Sequence, residues 1–185
     1  MKRLAFAVVL VILVSGCTGK RALTHTPPSV IEQLLVAGAA ERSASRLQGP
    51  DLRGARVYLE ATGLTKDAVF ARETVAMELQ SRGAAVVTEQ AKATHIVRIL
   101  VQALGTDQVE TFFGIPKMSS SLLPIPEIAL FRRQKQTGRS RLRFTVIDAQ
   151  TGHAVGEAQA VDGKTAFTHL TILLFGFEWS DVDGL

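Results

Sequence analysis

The strongest constraint on the fold is an alternation of apolar and polar residues within positions 139–149. Apolar side chains occupy every second position there: Leu142, Phe144 and Val146. Successive side chains of a strand point to opposite faces, so this pattern predicts a strand with one buried and one wet face. A turn and a returning strand over 148–161 would complete an antiparallel hairpin.

Two segments nearer the N-terminus have the spacing of helices. Residues 29–32 read SVIE, the capping-box arrangement of a serine followed three residues later by a glutamate. It predicts a first helix over 29–47. A second helix is expected to start at a Thr65 cap and to run through residue 82, because Gly83 follows where helix ends prefer glycine.

The remaining pattern predicts short strands at 56–60 and 85–88 and a longer one at 95–104, with Val97, Ile99, Val101 and Ala103 on one face. Residues 105–138 show no regular period and are expected to form a functional loop or a partly structured insertion. We therefore predict an α/β (α+β) fold in one small domain over 29–185. It would contain a mixed or antiparallel sheet, packed on one side by two helices, and the long irregular insertion at 105–138.

The N-terminus has the order of an export signal. Lys2 and Arg3 precede an apolar run over 4–14, and the small residues Ser15 and Gly16 lead to Cys17, the only cysteine of the chain. The run is well short of the roughly 20 residues that a membrane-spanning helix needs. A short membrane anchor or a buried helix is the alternative interpretation.

The run VSGC at 14–17 resembles the lipobox of bacterial lipoproteins. That resemblance implies a signal peptide over 1–16, cleaved before Cys17, and acyl chains such as palmitate on Cys17. Residues 17–28 would then be a lipidated tether ending in two prolines. Thr18 replaces the aspartate that retains such proteins at the inner membrane, so the resemblance implies the periplasmic face of the outer membrane, with the membrane itself as a partner through acylated Cys17.

The mature chain also resembles an uncharacterised bacterial lipoprotein family. The shared runs are GTD at 105–107, GIP at 114–116, PEIALF at 126–131 and QTG at 136–138. A weaker similarity links residues 55–104 to the small α/β domain of the curli-secretion and surface-exclusion lipoproteins. These resemblances imply a fold and an envelope location, and the closer one brings no known activity.

Charge and motifs exclude several kinds of protein. The formal charge is +4, and two of these charges belong to Lys2 and Arg3, which is too weak a basic balance to indicate nucleic-acid binding. No nucleotide loop, G-x-S-x-G motif or close histidine pair occurs. The histidines are His25, His95, His153 and His169. The sequence therefore predicts no catalytic residue, no cofactor and no metal site.

The candidate partner-binding residues lie in the segment predicted as irregular. Phe112, Phe113 and Ile115 form an apolar stretch in an apparent loop, and such a stretch either folds onto the core or meets a partner. Arg132, Arg133 and Lys135 begin a basic cluster that continues to residue 143 without an acid. The cluster is either a solvated face or a contact for anionic lipid.

These observations predict a lipid-anchored, non-enzymatic binding or assembly module of the bacterial envelope, with an envelope protein or anionic lipid as its partner. Two alternatives remain open at this point. One is an envelope hydrolase or small-ligand binder with a site assembled across the sheet and residues 105–138. The other is a self-assembling component of an envelope or secretion complex. The oligomeric state is not predicted.

Overall fold

The computed structural model describes residues 18–21, 29–64, 66–117 and 127–184. The predicted signal peptide over 1–16 lies outside these residues, and so does the predicted tether over 17–28, Cys17 included, except for residues 18–21. The elements are β1 (Thr18–Arg21), α1 (Val30–Ser45), β2 (Arg56–Gly63), α2 (Ala68–Ser81), β3 (Ala85–Val86), a 3-10 turn (Gln90–Lys92), β4 (His95–Ile115), β5 (Ile128–Asp148), β6 (Gln159–Ile172) and β7 (Phe175–Ser180).

The strands form one sheet in the order β3-β2-β4-β5-β6-β7, and β1 pairs with β4. β2 is parallel to β3 and to β4, whereas β1 is antiparallel to β4. The predicted α/β fold, a mixed sheet with two helices, is thus confirmed. Neither of the described α-helices is long and apolar enough to cross a membrane.

The chain divides into two compact units. Of the described residues, the helical unit comprises 29–64, 66–107, 137–167 and 180–184, and the sheet unit comprises 18–21, 108–117, 127–136 and 168–179. Strands β4, β5 and β6 each contribute residues to both units.

The capping box at the start of α1 is present as predicted. The Ser29 hydroxyl accepts from the Glu32 backbone N–H at 3.2 Å, and the Ser29 N–H donates to Glu32 Oε2 at 2.8 Å. α2 begins at Ala68, and the predicted cap, Thr65, lies outside the described residues. Gly83 follows α2 with a φ of 90°, the left-handed conformation that glycine adopts at helix ends.

Helix α1 lies very close to the sheet of the helical unit because the facing residues are small. A Cβ at Gly138 or Gly163 would overlap the carbonyl oxygens of Leu35 or Ala39. The contact is also hydrogen bonded, since the Thr165 hydroxyl donates to the Leu35 carbonyl at 2.7 Å. The buried hydroxyls of Ser43 and Ser140, 2.8 Å apart, add a second bond across it, so its buried polar groups are satisfied.

The core of the helical unit contains the apolar residues predicted for the two alternating strands. Val97, Ile99 and Val101 are buried, and so are Leu142, Phe144 and Val146. They pack with residues from both helices: Ala40, Ala44, Ala71, Val75, Ala76 and Leu79. The prediction was wrong at Ala103, which is exposed, because the alternation of β4 shifts by one position and buries Leu104 instead.

The irregular course predicted for residues 105–138 was wrong for most of that segment. β4 continues to Ile115 and β5 begins at Ile128. Each strand lies inside the sheet with a neighbour on both sides, so pairing satisfies its backbone groups whatever the local pattern suggests. Residues 118–126 lie outside the described part of the chain.

Candidate functional surface

Contacts between neighbouring strands define two faces of the sheet unit. The first face carries Arg132 of β5, which contacts Glu110 of β4, and His169 of β6, which contacts Glu178 of β7. Side chains opposite one another on paired strands lie on the same side, and each strand alternates between sides. The hydrogen bond from Leu173 N–H to the Leu130 carbonyl, 2.9 Å, sets the register of β6 against β5.

The first of these faces is polar, and its acidic side chains contact basic ones. We call it the polar face. Arg132 Nε lies 3.1 Å from Glu110 Oε1, without hydrogen-bond alignment of that N–H, and another guanidinium nitrogen contacts Glu127. His169 Nδ1 lies 2.7 Å from Glu178 Oε1. The face comprises Glu110, Phe112, Leu130, Arg132, Gln134, His169, Thr171 and Glu178. Each of these three carboxylates therefore has a basic side chain within contact distance in the unit.

The opposite face of the sheet unit is apolar and exposed; we call it the apolar face. Its large side chains are Val109, Phe113, Ile115, Phe131, Leu170, Ile172, Phe175, Phe177 and Trp179. All of them except the half-buried Phe131 and Leu170 are between 41% and 69% exposed. Within the described residues of the sheet unit, the alternation assigns no acidic residue to this face, and it does assign the cations Arg133 and Lys135. An exposed apolar patch of this kind marks an interaction surface.

The turn between β6 and β7 extends the apolar surface at one end of the strands. Leu173 has a φ of 54°, a left-handed conformation that hairpin turns normally assign to glycine or asparagine. Leu174 beside it is 95% exposed. At the same end, the exposed Ile115 closes β4 and the exposed Ile128 opens β5. We call Ile115, Ile128, Leu173 and Leu174 the apolar end.

The structure divides the six residues predicted to bind a partner between the two faces. Phe113 and Ile115 lie on the apolar face, as do Arg133 and Lys135. The other two, Phe112 and Arg132, lie on the polar face, where the Arg132 guanidinium carbon is 5.3 Å from the Phe112 ring centroid. Such stacking holds the arginine within the unit. The role of all six residues in binding stays a prediction.

Several members of the apolar face are not among the six residues predicted to bind a partner, namely Val109, Ile172, Phe175, Phe177 and Trp179. Phe175, Phe177 and Trp179 could be identified from the period of two in FGFEWS, residues 175–180. In that run large apolar residues alternate with small or polar ones, which predicts a strand with two unlike faces. The sequence alone leaves two interpretations of the apolar segment 172–179, packing onto the core or contact with a partner or the membrane, and assigns no face to its side chains.

The predicted lipid-attachment residue, Cys17, lies outside the described residues, but its neighbour in the chain does not. Thr18 opens β1 and pairs with Phe112 of β4 in the sheet unit. The predicted attachment residue is therefore adjacent in sequence to this pairing.

The helical unit contains a shallow cleft of about 270 Å³, lined largely by Leu47, Pro50, Leu52, Leu79 and Val146. Arg82 at its edge is already engaged, since its guanidinium donates to the carbonyls of Ser45 and Leu47. A hydrogen bond from Arg53 lowers the pKa of Asp51 at the rim. These charged groups therefore form hydrogen bonds with one another or with the backbone. The described residues include no cluster of three or more metal-binding side chains.

A second polar contact in the helical unit fixes the C-terminal segment. The Asp181 carboxylate accepts from the Ala166 N–H at 2.8 Å and from Arg42 at 3.1 Å. Burial works to raise the pKa of Asp181, but the hydrogen bond from Ala166 and the contact with Arg42 hold that pKa below its ordinary value.

Comparison with known proteins gives structural neighbours only. No protein-family model matches this chain, and no curated protein matches it. The C-terminal domain of LpoB from Salmonella enterica is 13% identical and aligns over 68% of this chain and 97% of that one, with a TM-score of 0.37. A variant PelC dodecamer from Paraburkholderia phytofirmans is 12% identical and aligns over 84% of this chain and 83% of that one, with a TM-score of 0.32.

Proposed function

We propose that the protein is a lipid-anchored, non-enzymatic binding module of the bacterial envelope, held at the periplasmic face of the outer membrane. The observation that carries this proposal is the exposed apolar face of the sheet unit. Covering such a face releases roughly 25 cal/mol for each Å² of apolar surface removed from water. A partner that covers several of these side chains therefore gains free energy that offsets the entropic cost of association.

The anchor in this proposal is Cys17. The lipobox-like run at 14–17 supports acylation, and the sequence places that cysteine directly before β1. Stable anchoring of a protein requires two or more acyl chains, which a lipoprotein-type N-terminus provides. The anchor and the apolar face would then belong to the same unit of the protein.

Self-assembly is a second candidate, favoured by one specific observation. β7 is the last strand in the order of the sheet, and a terminal strand presents unpaired backbone groups to a neighbour. A second copy could pair with this edge. Gel filtration after mild detergent extraction tests this candidate, which predicts a large complex and is contradicted by a monomer.

Labelling in cells tests the anchor. The wild-type protein is expected to incorporate radioactive palmitate and to fractionate with outer membranes, whereas a Cys17→Ala variant is expected to lose the label. Equal labelling of both proteins contradicts the anchor.

In-cell crosslinking tests the binding surface. A photoreactive residue at Phe113 or Phe177 is expected to form adducts with an envelope component, either protein or lipid. The matched control places the same residue at Thr171, on the polar face. Binding through the apolar face is contradicted if neither apolar-face position gives an adduct, or if the control position gives the same adducts.

A further inference from the structure

We propose that the apolar face and the apolar end lie against the lipid bilayer that holds the Cys17 anchor. This inference rests on the proposed function and specifies its partner. The bilayer supplies a hydrocarbon phase for the large side chains and anionic headgroups for the cations. Three independent features of the sheet unit support it, and the aromatic residues of β7 agree with them.

The first feature is the separation of charges between the two faces. The acids Glu110, Glu127 and Glu178 contact basic side chains of the polar face. On the apolar face, Arg133 and Lys135 have no ion-pair partner within the described part of the chain. Cations that flank an apolar surface without an ion-pair partner complement anionic headgroups, and each adds about 1 kcal/mol near such a surface.

The second feature is the turn at the apolar end. A left-handed conformation costs a leucine about 1–2 kcal/mol relative to a residue that adopts it freely, yet Leu173 occupies it. The next residue, Leu174, is almost completely exposed to water. The left-handed conformation of Leu173 and the exposure of Leu174 both lower the stability of the isolated protein. Residues in strained backbone conformations cluster at functional sites, and immersion in hydrocarbon recovers the free energy of an exposed leucine.

The third feature is the position of the anchor. β1 pairs with the end of β4, with Thr18 opposite Phe112, three residues before Ile115 of the apolar end. Acyl chains attached to the residue before Thr18 would keep this end of the sheet unit at the membrane. The same anchor lowers the entropic cost of bringing the apolar face to the lipid, because the second contact is intramolecular.

The aromatic residues of β7 match the composition of a membrane boundary. Phe175, Phe177 and Trp179 follow one another along one side of that strand, with increasing distance from the apolar end. Tryptophan is enriched at the boundary between hydrocarbon and headgroups, where its ring is covered and its N–H stays near water.

Trp179 provides a direct test because it is the only tryptophan of the chain. Full-length lipidated protein, extracted in mild detergent, is reconstituted into vesicles of phosphatidylethanolamine and phosphatidylglycerol. Vesicles whose acyl chains carry bromine serve as a quenching probe. The expected result is a shift of Trp179 emission to shorter wavelength, loss of its intensity in the brominated vesicles and protection from acrylamide in the water phase.

Matched variants connect this signal to the apolar face. Phe175→Ser and Leu174→Ser are expected to reduce quenching by brominated lipid and to restore quenching by acrylamide. Loss of one buried phenylalanine corresponds to about a tenfold weaker contact. The control is Glu178→Gln, on the polar face of the same strand, which is expected to behave like the wild type. Circular dichroism establishes that each variant is folded, and the wild-type measurement tests the proposal even where a variant is not.

The outcomes separate this inference from the proposed function. Protein that carries no acyl group by mass spectrometry and does not float with vesicles contradicts the proposed anchor. Protein that floats while Trp179 remains accessible to acrylamide and insensitive to brominated lipid overturns the bilayer contact alone. A blue shift that depends on protein concentration and is insensitive to brominated lipid also overturns it, because a second copy then covers the face.

Discussion

The guanidinium of Arg132 lies over the ring of Phe112, 5.3 Å from its centroid, while the same group contacts Glu110 and Glu127. The arginine side chain is only 27% exposed. A planar guanidinium can stack and bridge two carboxylates at once, which a lysine ammonium cannot. Arg132 therefore connects β4 and β5 on the polar face of the sheet unit.

We expect Arg132→Lys to lower the free energy of unfolding by about 1 kcal/mol, through loss of the stacking and of one carboxylate contact. Chemical denaturation in mild detergent measures this change. The control is Arg133→Lys, on the apolar face, which is expected to change the same quantity by less than about 0.5 kcal/mol. An equal effect at both positions would show that the polar-face contacts do not stabilise the unit.

Gly163→Ala is expected to be strongly destabilising, because its new methyl group would overlap the Ala39 carbonyl of α1. Overpacking of a tight contact costs about 1–3 kcal/mol or more when the backbone must move. The matched control is Gly105→Ala, where the space around a Cβ is open and the substitution is expected to be neutral or slightly stabilising. Thermal unfolding compares the two. A Gly163→Ala protein as stable as the wild type would contradict the close approach of α1.

The Asp181 contacts predict a dependence of stability on pH. Because the folded-state pKa lies below the ordinary value, the stabilisation is fully present above about pH 4 and is lost as the pH falls through the folded-state pKa. We expect Asp181→Asn to be less stable than the wild type at pH 7, by less than about 1 kcal/mol, since the carboxylate is half exposed. The difference should shrink at acidic pH.

Urea unfolding at pH 7 and pH 3 measures this difference. The control for Asp181→Asn is Asp183→Asn, a change at an exposed acid of the same segment. If the difference in free energy of unfolding between the wild type and Asp181→Asn were larger at pH 3 than at pH 7, the expected pH dependence would be wrong.

Leu173→Gly is expected to have opposite effects on stability and on membrane contact. Glycine adopts the left-handed conformation freely, so the free energy of unfolding in detergent should increase by up to about 1 kcal/mol. The same change removes a large side chain from the apolar end and should weaken quenching of Trp179 by brominated lipid. Leu170→Ala, at a half-buried position of β6, is the comparison and should lower stability. A Leu173→Gly protein that is less stable would show that the turn carries no strain.

Much of the helical unit could be predicted from the sequence because its signals are local. The capping box at Ser29 and the alternation around Phe144 each fall within a few residues, and both were confirmed. The sheet unit could not be predicted in this way. Residues 105–115 and 128–138 owe their strand conformation to pairing with neighbours that are distant in sequence.

The candidate site was missed in part for the same reason. Phe112 and Phe113 are adjacent in the sequence, and an apolar pair in an apparent loop gives no sign that its members point to opposite faces. Only the register of β4 against β5, visible through the Glu110–Arg132 contact, separates them. The alternation in β7 was present in the sequence, but without a partner strand it did not show which side would be left exposed.

The alternation of β5 makes the length of this strand matter more than the chemistry of any one side chain. Deleting Gln134 would shift the pairing by one position, and every β5 side chain on one side of the deletion would exchange faces. Leu130 and Arg132 would then point where Phe131 and Arg133 now point. Relatives of this protein should therefore differ freely in which large apolar residue they use here, while the number of residues between the two ends of the strand stays constant.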